Sequence, residues 1–206
     1  DATQGWIPTT DDDVTDAPLQ PVLNDKGIFG FGAGDPKIGV TNLVSDAGVI
    51  ATDTTAVGTA REAPGACEYG GDKAIFAYGS SASGLASMSN LVSNVGVVAS
   101  DVTGVGTARF YVQGAVYGGT TGIMAFGLAA SQTAVSNLIS DAGVVATDVT
   151  GVGTARQGVG ACEYSARKDK AIFGFGRSSP SGPNVGMTNL VSNTGVVASD
   201  VTAVGA

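Results

Sequence analysis

The chain has 206 residues, a hydrophobic fraction of 43% and a formal net charge of −8, with 18 acidic residues, ten Lys and Arg, and no His. That apolar fraction suffices for a core and argues against disorder, while the basic residues are too scattered to make the phosphate-binding footprint of a nucleic-acid partner. No apolar run nears the roughly 18 residues that a membrane helix needs, so membrane insertion is not expected.

Residues 1–15 carry the stretch TQGWIPTTDDDVT, which reads as an extended arm or tether with Trp6 and Ile7 available as anchors. Asp11, Asp12 and Asp13 are adjacent and lack the alternate spacing and turn glycine of a calcium loop, so they read as a solvated linker. The chain opens on Asp1 without a charged and apolar leader, and it stops in mid-pattern at Ala206, which is compatible with a processed or partial chain.

From Lys26 onwards the sequence repeats. TNLVSDAGVIATDTTAVGTAR from Thr41 returns as SNLVSNVGVVASDVTGVGTAR from Ser89, SNLISDAGVVATDVTGVGTAR from Ser136 and TNLVSNTGVVASDVTAVG from Thr188. The Asn falls at 42, 90, 137 and 189, in steps of 48, 47 and 52, so the period is near 47. Each unit opens on KGIFGFG, KAIFAYG, GIMAFG or KAIFGFG, where large side chains such as Phe29 and Phe31 fall at i and i+2 and should share the core face of a strand. TNLVS and GVVATDVT, linked by Asp or Asn, any residue and Gly, read as an antiparallel pair joined by a three-residue turn with Gly in the left-handed position. GVGTAR supplies a second turn, and ACEYGG a fourth short strand before the next unit.

Four short antiparallel strands in about 47 residues, four times over, is the pattern of β-propeller blades. The expected fold is all-β: a four-bladed propeller over 16–206, with repeats at about 26–72, 73–120, 121–169 and 170–206. The last unit lacks the GTAR and ACEYGG portion, whereas DAPLQPVLND at 16–25 stands before KGIF as EAPGACEYGGD stands before KAIF. That N-terminal strand is expected to complete the last blade and close the ring; donation to a neighbouring molecule is the alternative.

The wording of the repeat, DKAIFGFG with TNLVSNTGVVASDVT and GVGTAR, resembles tandem repeats of propeller-like proteins of bacteriophages and bacteria, often tail-associated or uncharacterised. The resemblance spans Lys26 to Ala206 but departs at Thr120 and Thr121, where other units have Asp and Lys, and no Trp-Asp pair marks the blades. It implies a structural setting and transfers no catalytic residues.

Chemistry is sparse. Without His, Ser-His-Asp and Cys-His systems cannot be assembled, and GVGTAR lacks the Lys-Ser/Thr ending of a phosphate loop. No cofactor or metal is expected. Asp53 and Arg61, Asp101 and Arg109, and Asp148 and Arg156 keep a spacing of eight, which reads as an ion pair stapling each hairpin to its outer strand rather than as a ligand-binding ring. Cys67 and Cys162 hold equivalent places in units expected to face each other across a ring, too far apart to bridge. The loops that the repeat does not keep, AGDPKIG, SSASGLAS, LAASQTA and RSSPSGPNVG, with REAPG, RFYVQG and RQGVG, are the candidate contact surface. Asp35, Lys37, Phe110, Tyr111, Gln132, Arg177 and Asn184 are its candidate residues. The reading is a non-enzymatic structural or attachment protein of a virion tail or fibre, or otherwise extracellular, contacting other virion or surface proteins, a host receptor or a glycan. A secreted or surface lectin and a self-assembling filament subunit are the alternatives.

Overall fold

β-Branched runs broken by Gly, Asn and Asp favour short strands and tight turns over helices. The computed structural model describes residues 26–165, 167–179 and 181–202, and those residues form fourteen strands and no helix. The first unit pairs β1 (Gly27–Gly32) with β2 (Ile38–Val44). After a link through β3 (Arg61–Glu62), the second unit runs β4 (Gly65–Tyr69), β5 (Lys73–Ala77), the short β6 (Ser80–Ser81) and β7 (Gly84–Leu85), and β8 (Ser89–Val92). The third has β9 (Gln113–Tyr117), β10 (Thr121–Ala125) and β11 (Ser136–Ile139); the fourth has β12 (Gly160–Tyr164), β13 (Lys170–Gly174) and β14 (Thr188–Val191). All pairings are antiparallel, in the orders β4-β5-β8, β9-β10-β11 and β12-β13-β14, with β3-β6-β7 as a small separate sheet.

Past β8 the chain turns back and lays a further extended segment beside it, bridging Val92 to Val98 and Ser89 to Val102. The same pair of bridges follows β2, β11 and β14, so each complete unit is a meander of four antiparallel segments. The turn between them is the expected one: Gly96 sits at φ +81 and donates its N–H to the Ser93 carbonyl at 2.9 Å.

One assignment moves. The ACEY strand does not end a unit but begins the next, because Gly70 and Gly71, at φ +64 and +80, fold β4 straight onto β5 in the register Tyr69 to Lys73 through Gly65 to Ala77. The fourth unit therefore takes its three named strands from residues 160–191. Residues 16–25, expected to complete it, lie outside the described residues, as do the 1–15 arm and 203–206.

The units pack in chain order, β4 against β9 and β9 against β12. A sheet covered on both sides buries both faces, and Ile75, Phe76, Ala77 and Tyr78 are accordingly all buried in succession. The simple alternation expected of Phe29 and Phe31 is thus not observed. The ladder shifts register between Gly30 and Gly32, Phe31 takes φ +63, and its ring meets Phe76 of the second unit edge-on at 5.2 Å. Phe29 faces the other way and is 62% exposed, whereas its counterparts Phe76 and Phe173 are buried against a preceding unit.

Each hairpin turn also leans on the unit before it. A Cβ added to Gly143 would lie 2.8 Å from Leu91 and 2.9 Å from the Tyr69 ring, whereas one added to Gly48, in the same Ser-Asp-Ala-Gly turn of the first unit, would meet nothing within 4 Å. Both glycines have positive φ, so either Ala variant carries about 1–2 kcal/mol of left-handed strain. Gly143→Ala should add about 1–3 kcal/mol of overpacking. Urea denaturation should therefore rank Gly143→Ala clearly below Gly48→Ala; equal losses would mean that the turns do not bear on neighbouring units.

Candidate functional site

The repeated polar residues converge at the junctions between units. Arg61, Arg109 and Arg156 leave the links and run into the following unit, where each side chain is fully buried. The Arg61 Nε donates to the Tyr78 carbonyl at 2.7 Å, Nη1 to the Thr59 carbonyl at 3.1 Å, and Nη2 to Asn90 Oδ1 at 2.6 Å. Arg109 makes the same three bonds to Phe126, Thr107 and Asn137, and Arg156 to Phe175, Thr154 and Asn189. On its other side each guanidinium lies over an aromatic ring of the preceding unit, Phe31, Tyr78 or Phe126, at 4.1, 4.1 and 4.3 Å from the centroid.

The carboxylate partner is not the one expected from spacing. Arg61 approaches Asp101 at 3.9 Å and Arg156 approaches Asp200 at 3.5 Å, each in the unit ahead, so the eight-residue pairs Asp53–Arg61, Asp101–Arg109 and Asp148–Arg156 are not made. The turn between the two residues explains the difference, because it carries the Arg out of its own hairpin. Asp101 instead accepts the Thr59 N–H at 3.0 Å and the Thr59 hydroxyl at 2.7 Å, with Asn90 Nδ2 at 2.9 Å; Asp148 and Asp200 repeat the arrangement with Thr107 and Asn137, and with Thr154 and Asn189. Gly58 precedes Thr59 at φ +77, and a side chain there would collide with Asp101 and Asn90; Gly106 and Gly153 stand alike. The recurring Gly-Thr-x-Arg is therefore one recognition element: clearance, a hydroxyl for the Asp, a guanidinium for the Asn.

Burial opposes ionisation of Asp101, Asp148 and Asp200, yet the Thr hydroxyl, the Asn amide, the Thr N–H and the Arg charge together hold each carboxyl below its ordinary value of 3.8. Burial pulls the Arg61 guanidinium down to about 10, against the pull of Asp101, and leaves it charged at neutral pH. Sequence reading missed the Asn, the Thr and the stacked ring of this cluster. Their signal was the strict return of an Asn inside an apolar strand.

The contact residues expected from the variable loops fall into three groups. Phe110, after Arg109, bridges to Leu128, which bridges to Gln132; Gln157 likewise bridges to Arg177, and Arg177 to Asn184. Both sets of variable loops thus meet in small antiparallel clusters equivalent to β3-β6-β7. Tyr111, Arg177 and Asn184, with Gln157, line one cleft of about 260 Å³ at the junction of the third and fourth units. Gln132 joins its rim by donating from Nε2 to Gln157 Oε1 at 3.2 Å, and Phe110 backs the Tyr111 ring at 4.4 Å. Lys37 does not serve as a contact residue: its ammonium donates to Ser80 O, Ser80 Oγ and Ser81 O and pairs with Glu62 at 2.9 Å, which ties the first unit to the second. Asp35 is exposed two residues before it and apart from the cleft.

No family model and no curated protein matches this chain. What the site can do is therefore read from its own chemistry. The cleft is lined by an aromatic ring, a guanidinium and planar amides, groups that suit hydrogen-bonding partners. Among the described residues no three His, Cys, Asp or Glu side chains are grouped to hold a metal ion. Cys67 and Cys162 are free, on strands β4 and β12 that both pack against β9, and burial pushes the Cys67 thiol up to about 12.

A folded-state pKa below the unfolded one means that the unfolded chain takes up protons first as the pH falls. The junction carboxylates therefore contribute in full above 3.8, and that contribution is lost as the pH falls through their folded-state values. Urea midpoints measured from pH 6 downward should fall in the acid range, and Asp148→Asn should flatten that fall while lowering stability at pH 6. An unchanged acid slope in the variant would remove the junction carboxylate from the account.

Proposed function

We propose that the chain is a non-enzymatic structural or attachment module of propeller-like architecture, which meets other proteins through the loops gathered at its unit junctions. The observation that carries the reading is a division of labour: the residues that repeat are consumed inside the junctions, and variable residues of the third and fourth units meet at one surface cleft. A rigid frame with changed loops is a physical basis for contact specificity. Four-segment antiparallel meanders packed against one another in chain order support propeller-like blades. The resemblance of the repeats to tail-associated phage proteins supports a virion tail or fibre as the setting, with a host surface as the partner.

The composition of the cleft favours one second reading. Tyr111 is 42% exposed beside Arg177, Asn184 and Gln157, and an aromatic face with planar polar groups is suited to sugar hydroxyls. The rings repeated at every junction do not serve this purpose, since three of them lie under guanidinium groups.

The full chain and the Tyr111→Ala/Arg177→Ala variant should be compared on bacterial envelope preparations and on a glycan array. The attachment reading predicts binding to an envelope fraction that drops at least about tenfold in the variant while the melting temperature holds, a loss of roughly 1.4 kcal/mol. A glycan hit lost in the variant would make the contact a sugar. Undiminished binding by the variant would contradict the cleft as the contact surface.

A further inference from the structure

Three of the four units receive a Gly-Thr-x-Arg segment; the first unit has the receiving site and no such segment among the described residues. Asn42 and Asp53 stand where Asn90 and Asp101 stand in the second unit, and they are already arranged for the task. Asn42 Nδ2 donates to the Ala51 carbonyl at 3.1 Å and to Asp53 Oδ1 at 2.8 Å, matching the 3.0 and 2.9 Å bonds of Asn90 to Ala99 and Asp101. Residues 1–25 contain no Arg and so hold no Gly-Thr-x-Arg segment.

The opposite half of a junction is left bare in the fourth unit. Phe31, Tyr78 and Phe126 each lie beneath an Arg, whereas Phe175, which shares their left-handed backbone at φ +61, is 56% exposed with no guanidinium above it among the described residues. The exposed Phe29 and the open turn at Gly48 mark the face of the first unit that no other unit covers among the described residues.

We propose that the Asn42–Asp53 face of the first unit is a peptide-binding site for a Gly-Thr-x-Arg segment supplied by a further repeat polypeptide. The recognition is the one seen three times within this chain. The Thr N–H and hydroxyl bind the Asp53 carboxylate, the guanidinium donates to Asn42 Oδ1 and to the carbonyl of Phe31, and the glycine passes where a side chain would strike Asp53 and Asn42. Bidentate use of a planar cation makes Arg, not Lys, the required residue. The inference stands apart from the attachment reading, because it uses none of the residues of the loop cleft.

The test is titration of the full chain with the peptide acetyl-AVGTARE-amide, followed by calorimetry and by the NMR shifts of the Asn42 side-chain amide. Saturable one-to-one binding that perturbs Asn42 and Phe31 is expected. Replacing the peptide Arg with citrulline, which keeps the shape and removes the charge, should weaken it at least about tenfold, as should Asp53→Asn in the protein. Tyr111→Ala should leave it unchanged. Absence of binding at millimolar peptide, or binding indifferent to both citrulline and Asp53→Asn, would overturn the proposal.

Discussion

A fully buried guanidinium holds each pair of units together. Taking such a charge out of water costs several kcal/mol, and it is tolerated only where every donor finds an acceptor and a counter-charge lies near. Here the acceptors are a carbonyl from the chain's own link and a carbonyl and an amide oxygen from the unit ahead, while a ring from the unit behind lies against the guanidinium face. Hydrogen bonds from the unit ahead and a ring from the unit behind together enclose the Arg. The complete junction therefore exists only when the unit behind and the unit ahead are folded and in contact, which couples neighbouring units, since removing one partner would leave a buried charge uncompensated.

Several local oddities follow from that requirement. Phe31, Tyr78, Phe126 and Phe175 occupy left-handed backbone, a costly conformation for an aromatic residue. Three of these rings lie beneath a guanidinium, and the carbonyls of the last three accept an Arg Nε. Gly58, Gly106 and Gly153 are kept bare because the Asp and Asn of the next unit occupy the space of a side chain. With the polar work of the Arg finished inside, the loops around it hold together mainly through backbone bridges, with side-chain links such as Lys37 to Ser80 and Glu62 at the first junction and Gln132 to Gln157 between the third and fourth units. Bridges made by the backbone are what allow their sequences to differ and to build a cleft.

Much of the fold was legible from the chain: the period, the antiparallel hairpins, the left-handed glycine of the Asp/Asn-x-Gly turn and the all-β class. Unit boundaries were not, because ACEY is equally a last strand or a first one until Gly70 and Gly71 are seen to close it onto Lys73. The Asp and Arg were identified as structural partners, but the pairing was placed within a unit. Spacing along a sequence cannot tell a residue's own hairpin from the next copy of it when both carry the same Asp. Phe29 and Phe31 were misassigned for a related reason: a two-residue period presumes an unbroken ladder, and the ladder breaks at Gly30. The cleft was half visible as a set of variable loops; that the third and fourth units bring Tyr111 and Arg177 together depends on packing, which no local pattern encodes.

The most direct measurement is a pair of double-mutant cycles on stability, Arg109→Ala with Asp148→Asn and Arg109→Ala with Asp101→Asn. The forward junction predicts a coupling of about 0.5–3 kcal/mol for Arg109 with Asp148 and near-additivity with Asp101. Coupling to Asp101 and additivity with Asp148 would return the Arg to its own hairpin and contradict the account.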